Sequence, residues 1–142
     1  MDIEVRDLGA PFLQEFMKNG FTQPNGCFKN CFSAVVLIGA AIPGRMSYAL
    51  CWLIDNHGER HPHALVQIDG LYFDPTIQAN PKAFQYGRNY QLEKLLSRED
   101  AIYIFEQAGG LINYAGGNAQ IIGLPPALLA DGEIRCETVT LP

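Results

Sequence analysis

Residues 63–76 of this chain read His63-Ala64-Leu65-Val66-Gln67-Ile68-Asp69-Gly70-Leu71-Tyr72-Phe73-Asp74-Pro75-Thr76 and predict a β-hairpin. Two runs of β-prone residues flank an Asp-Gly dipeptide, which favours a two-residue type I′ turn because both positions must adopt positive φ. With this dipeptide as the loop, Val66 pairs with Phe73. Because strand residues alternate between faces, the register places His63 and Asp74 on one face as diagonal neighbours, about 7–8 Å apart at the backbone. We therefore expect the imidazole and the carboxylate to lie within reach of each other.

A second informative stretch lies upstream, where Cys27 follows the turn signal Gln23-Pro24-Asn25-Gly26 and opens an apolar run. Apolar residues recur in this run near the i, i+3, i+4, i+7 spacing of a helix that faces a core, at Phe28, Cys31, Phe32, Val35 and Ile38. A thiol at the start of a helix lies near unpaired amides and the positive end of the macrodipole, and both favour the thiolate. Cys31 lies one turn further along the apolar face and is interpreted as packing.

Together these residues have the composition of a nucleophilic site. A cysteine nucleophile needs a base nearby and a third group that orients the base. Cys27, His63 and Asp74 supply these three groups in that order along the chain. We therefore predict that they form the catalytic residues.

Four segments that contain these residues resemble the core of papain-like and transglutaminase-like proteins: 26–30, 47–53, 63–66 and 73–76. The resemblance covers roughly residues 23 to 78. It implies an α+β fold in which an N-terminal helix carrying Cys27 packs on an antiparallel sheet carrying His63 and Asp74. It also implies thiol-dependent acyl transfer by a cysteine peptidase or amidase that acts on a protein or peptide amide, with Gln23 as the candidate oxyanion-stabilising residue. Leu65 stands where many transglutaminase-like sequences have Trp, which favours hydrolysis.

Other activities stay open at this stage. A glutamine deamidase or a transglutaminase-type effector would use the same nucleophile with a different acceptor, and a binding module would keep the fold without turnover. The zinc alternative would take its ligands from two cysteines and three clustered histidines, at Cys27, Cys31, His57, His61 and His63. We favour the enzyme, with no cofactor and no metal, because Cys31 falls on the apolar face of the predicted helix.

Composition limits the function classes further. Apolar residues make up 48% of the 142-residue chain and charged residues 18%, which is typical of one globular domain over 1–142. The net charge of −5 gives no basic surface for nucleic acid or for an anionic membrane. No apolar stretch approaches the roughly 20 residues that span a bilayer, and the acidic start does not resemble a signal peptide. We therefore expect a cytoplasmic protein, and analogy with the family suggests an effector delivered into a host cell.

The remaining pattern predicts further elements. These are a helix over 10–18, a buried central strand over 46–54, a loop beside the site over 80–91, a helix capped by Ser97, and a last strand over 133–141. Cys51 and Cys136 lie in strand-like runs and are interpreted as structural.

Overall fold

The computed structural model describes residues 1–83, 89–114 and 119–135 of the chain. Within these residues the helices are α1 (Ala10–Lys18), α2 (Cys27–Leu37), α3 (Pro75–Ala79) and α4 (Arg98–Gln107). The strands are β1 (Asp2–Ile3), β2 (Val5–Arg6), β3 (Met46–Ile54), β4 (Arg60–Ile68), β5 (Leu71–Phe73), β6 (Asn89–Ser97), β7 (Leu111–Asn113), β8 (Gln120–Ile122), β9 (Ala127–Leu128) and β10 (Ile134–Arg135). The α+β class is confirmed.

The hairpin formed by β4 and β5 has the predicted register. Val66 pairs with Phe73, two positions before the turn. Asp69 and Gly70 have φ values of 52° and 84°, so both loop residues lie in the left-handed region that a type I′ turn requires. The turn geometry and the alternation of apolar residues thus favour the same register.

The six-stranded sheet is nearly closed. Its strand order is β1-β6-β3-β4-β5-β2, and all neighbours are antiparallel except the parallel pair β2 and β5. β1 and β2 are separated along the chain by Glu4 alone, yet they lie at opposite ends of this order. The N-terminal segment therefore bridges the two edges of the sheet, which curves into a small barrel-like unit.

The two faces of this sheet bury separate cores. On the outer face, Tyr48 of β3 packs against α2 and α4, with the Phe32 ring 5.7 Å from Tyr48 and 4.7 Å from Phe105. All six strands contribute to the inner core, which also contains Ile77 of α3; the strand residues are Ile3, Val5, Ala49, Cys51, Leu53, Leu65, Tyr72, Tyr90 and Leu92. Burial of each large apolar side chain contributes about 1.5–3 kcal/mol, so these two cores provide most of the favourable free energy of folding.

Most predicted elements are present with close bounds, and two predictions are wrong in part: the loop over 80–91 and the antiparallel sheet. α1, α2 and β3 begin where the pattern placed them, and Ser97 caps α4 by accepting a hydrogen bond from the Asp100 amide. The predicted loop over 80–91 is wrong at its C-terminal end, because β6 begins at Asn89. The predicted last strand is present only as β10, and the rest of it, with Cys136, lies outside the described residues. The sheet is also not purely antiparallel, because β2 pairs with β5 in parallel.

Candidate active site

His63 and Asp74 form a buried hydrogen-bonded pair. His63 Nε2 lies 2.8 Å from Asp74 Oδ2, and the two side chains are 9% and 5% exposed. His63 lies two residues before Leu65 on β4, so both point to the inner face of the sheet. Asp74 follows the last residue of β5 and is the N-cap of α3. The hairpin register thus brings together the two side chains that the sequence placed on one face.

Asp74 accepts hydrogen bonds from three donors. Besides His63, the Tyr90 hydroxyl donates to Oδ2 at 2.8 Å and the Ile77 amide donates to Oδ1 at 3.2 Å. Burial alone would raise the pKa of Asp74, but the charge of His63 and hydrogen bonds from His63, Tyr90 and the Ile77 amide lower it below its ordinary value. Asp74 is therefore a fixed carboxylate at neutral pH, and it links β4, β6 and α3.

The protonation of His63 follows from the same contacts. Burial opposes the charged imidazole, but the charge of Asp74, its hydrogen bond and the neighbouring Cys27 outweigh burial and raise the pKa of His63 to about 10. Since Nε2 is used by Asp74, Nδ1 is the ring nitrogen left for Cys27. This division of the two nitrogens gives the imidazole one fixed orientation and keeps it protonated at neutral pH.

Cys27 lies at the first position of α2 and is half-buried. The N-cap residue is Gly26, which has no side chain and makes no side-chain cap hydrogen bond. The amides of the first helical turn therefore have no side-chain capping oxygen as a partner. Cys31, by contrast, is fully buried, with its Sγ 3.4 Å from the Ala64 carbonyl oxygen, in agreement with its interpretation as a packing residue.

The turn before Cys27 is held by Asn30, a buried residue that the sequence analysis did not identify. Its side-chain oxygen accepts from the Gln23 amide at 3.2 Å, and its side-chain nitrogen donates to the Gln23 carbonyl at 2.9 Å and to Thr76 Oγ1 at 2.9 Å. Asn30 thereby ties the start of α2 to α3, which Asp74 caps. The Gln23 side chain is exposed and does not line the groove described next, so its oxyanion role stays a prediction. The sequence did contain a signal for Asn30, namely a polar amide side chain within an apolar helical run.

A groove of about 310 Å³ opens over Cys27 and His63. Its walls come from the turn before α2, α2, β3, β4 and α3, with Asn25, Cys27, Phe28, Leu53, His61, Pro62, His63, Thr76 and Ile77 as lining residues. His61 lies two residues before His63 on the same strand, and its Nε2 is 3.1 Å from Oδ2 of the buried Asp55. The groove is therefore mostly apolar around the thiol and the imidazole, with a second His-Asp pair at its border.

The residues of the zinc alternative do not converge in the part of the chain that the structure describes. There, the group of three potential ligands whose ligand atoms lie within 4.8 Å of one another is Asp55, Glu59 and His61. It includes one of the five residues proposed for zinc, and neither cysteine. Asp55 already accepts hydrogen bonds from the His57 and Glu59 amides, so its carboxylate serves the turn between β3 and β4.

The exposure of the thiols predicts which one reacts. Limiting iodoacetamide on the native protein at about pH 6, with the site mapped by mass spectrometry, is expected to label Cys27 well before Cys31 and Cys51. The reason is burial, which raises the pKa of both Cys31 and Cys51 and blocks access to them. Labelling of all three cysteines at similar rates in the native state would contradict the assignment of the nucleophile. Similar rates after unfolding would not contradict it.

Among the described residues, no helix has both the length and the apolar character needed to cross a membrane. Comparison of the chain with models of protein families, with curated proteins and with solved structures finds no match.

Proposed function

We propose that this protein is a thiol-dependent acyl-transfer enzyme of the papain-like and transglutaminase-like kind, which hydrolyses an amide bond in a protein or peptide. The observation that carries the proposal is the buried His63–Asp74 pair, 2.8 Å between nitrogen and oxygen, with Cys27 at the start of α2 lining the same groove as the imidazole. A packing histidine does not need a buried carboxylate on one side and a partly exposed thiol on the other.

The first half of the reaction uses Cys27 as the nucleophile. The thiol proton resides on His63, and the sulfur attacks the amide carbonyl carbon to form a tetrahedral intermediate. His63 then donates its proton to the leaving nitrogen, the C–N bond breaks, and a thioester with Cys27 remains. Asp74 keeps the ring oriented and stabilises the imidazolium throughout.

The second half uses water. The neutral imidazole left after the first half removes a proton from a water molecule, and the resulting oxygen nucleophile attacks the thioester carbonyl. The C–S bond breaks, the carboxylic acid leaves, and the thiolate–imidazolium pair is restored. An amine in place of water would give transamidation, and attack on a side-chain amide followed by water would give deamidation.

The negative oxygen of each tetrahedral intermediate needs donors. The first-turn amides of α2 supply them in this proposal, because Gly26 leaves them without a side-chain cap. Removal of one such donor typically costs a factor of about 10²–10³ in rate. The two hydrogen bonds between Asn30 and the Gln23 backbone hold this turn in place.

The groove also favours a class of substrate. Phe28, Leu53, Pro62 and Ile77 line it with apolar surface next to the nucleophile. A peptide residue with an apolar side chain would bury that side chain there, whereas a charged side chain would lose hydration without gaining a partner. We therefore propose peptide amides adjacent to an apolar residue as the substrate class.

The test compares cell-lysate peptides before and after incubation with the protein, in the presence of a fluorescent primary amine. Hydrolysis is expected to yield new peptide termini with apolar residues next to the cleaved bond. Deamidation would instead add about one dalton to Gln or Asn side chains, and transamidation would attach the fluorophore. Either of these two products in place of cleavage, absent with Cys27→Ala, would show that the acceptor or the substrate bond differs from the proposal.

A further inference from the structure

We propose that Tyr90 is a positioning residue that sets the proton affinity of His63 through the carboxylate they share. This inference rests on the proposed function for its kinetic consequence, but its physical content does not depend on turnover. Tyr90 belongs to β6, the strand that sequence patterns did not reveal, and not to the groove over Cys27. Its role is therefore exerted through Asp74.

The geometry restricts what Tyr90 can do. Its hydroxyl donates to Asp74 Oδ2 at 2.8 Å, which is the same oxygen that holds His63 Nε2 at 2.8 Å. The Tyr90 and His63 rings lie 6.2 Å apart between centroids and are inclined by 45°. Both residues are less than a tenth exposed, which keeps water from replacing these hydrogen bonds freely.

Two donors on one oxygen compete for its charge. A hydroxyl that donates to a carboxylate stabilises the negative charge and makes that oxygen a weaker acceptor for the imidazolium. The positive end of the hydroxyl dipole also lies close to the imidazolium. Without the hydroxyl, Asp74 therefore binds the His63 proton more tightly, and His63 becomes a weaker acid.

This matters for the proposed reaction because His63 must give up its proton to the leaving amine and later take one from water. A general acid works best when its proton affinity is close to the working pH. The His63–Asp74 contact raises the proton affinity of His63, and the Tyr90 hydroxyl limits that increase. Tyr90 thus keeps the imidazolium acidic enough to donate.

Other ionisable groups face His63, Asp74 and Tyr90 from the elements packed around them. The variants used in the test must leave these groups unchanged. They are Asp2, Glu4, Arg6 and Asp7 near β1 and β2, Cys27 and Cys31 on α2, Cys51 on β3, His61 on β4 and Tyr72 on β5. Tyr72 provides a matched control, because it packs against the same inner core and has no hydrogen bond to Asp74. Both tyrosines can be changed to phenylalanine without altering a charge at neutral pH.

The experiment is an NMR titration of the His63 ring carbons in the wild type, Tyr90→Phe and Tyr72→Phe, with the His63 signals assigned from their loss in His63→Gln. The midpoint of the His63 titration is expected to rise by about one pH unit in Tyr90→Phe and to be unchanged in Tyr72→Phe. Fluorotyrosine at position 90, a stronger donor, is expected to lower it. An unmoved or lowered midpoint in Tyr90→Phe overturns the proposal, and if that variant does not fold, an unmoved midpoint with fluorotyrosine overturns it.

Kinetics separate this inference from the proposed function. In Tyr90→Phe, kcat for peptide hydrolysis is expected to fall about fivefold to tenfold with KM unchanged, and the alkaline limb of the pH profile is expected to move upward with the NMR midpoint. A moved midpoint in a protein without Cys27-dependent activity would support the role of Tyr90 and contradict the enzyme. Cys27-dependent activity with an unmoved midpoint would support the enzyme and contradict the role of Tyr90.

Discussion

Replacement of Cys27 by alanine is expected to lower kcat/KM for peptide hydrolysis by at least about 10⁴-fold. The reason is that the sulfur forms the only covalent bond to substrate in the proposed reaction, and no other described thiol reaches the groove. The free energy of unfolding is expected to change by less than about 1 kcal/mol, because one sulfur atom is lost from a half-buried position. Peptide cleavage and urea unfolding of the same preparation measure the two effects.

Cys31→Ala is the matched control for this variant. It removes the same atom from the same helix, one turn further along, where the sulfur packs on β4 instead of facing the groove. We expect a loss of stability from the small cavity and activity within a few-fold of the wild type. A Cys27→Ala protein that retains activity would contradict the nucleophile, and the double variant Cys27→Ala, His63→Ala should be no slower than either single variant because the groups act as a unit.

Replacement of Asp74 by asparagine is expected to destabilise the fold as well as stop the reaction. The change removes the buried charge that faces His63 and replaces one acceptor oxygen by an NH2 group, so that at least one of the three donors, on His63, Tyr90 or Ile77, loses its acceptor. Removal of one partner from a buried ion pair gives a loss of about 3 kcal/mol in the free energy of unfolding. Equilibrium unfolding in urea at constant pH measures this loss.

Asp69→Asn provides the control for the loss of one carboxylate in the same hairpin. Asp69 pairs with Arg45, both side chains are about half exposed, and asparagine tolerates the positive φ of this position. Such an exposed pair contributes less than about 1 kcal/mol. Equal effects of the two substitutions would mean that the His63–Asp74 pair does not form in solution.

The stability difference between the wild type and Asp74→Asn should also depend on pH. The lowered pKa of Asp74 contributes stability above its unfolded value of 3.8, and this is lost as the pH falls. The raised pKa of His63 contributes stability that is complete below its unfolded value of 6.5 and is lost as the pH rises through about 10. The difference should therefore be largest between the two unfolded values and decrease on both sides.

The hairpin and the start of α2 could be predicted because both depend on local rules. Asp69 and Gly70 fix a turn geometry that few other dipeptides favour, and the alternation around them fixes the register. The helix that begins at Cys27 follows from a turn signal and an apolar stripe. Local sequence was therefore sufficient to put His63 and Asp74 in contact.

β6 was missed because its pattern depends on distant partners. Its exposed positions mix polar Asn89 and Glu93 with apolar Leu95, and the strand is stabilised by pairing with β3 over most of its length and with β1 at one end. Strand preference of this kind reflects the neighbours against which a residue packs more than the residue itself. Tyr90 was consequently assigned to a loop, although it is buried and donates to Asp74.

By itself, the sequence determined that a thiol starts a helix and that an imidazole and a carboxylate share one face of a hairpin. Only the tertiary structure decided that the sheet curves until Glu4 alone joins its two edge strands, β1 and β2, that Asn30 ties the turn before Cys27 to α3, and that Tyr90 reaches the carboxylate. The physical reason is the distance along the chain. Turn geometry and periodicity act over a few residues, whereas the contacts of Asn30 with Thr76 and of Tyr90 with Asp74 form only after the two cores have packed.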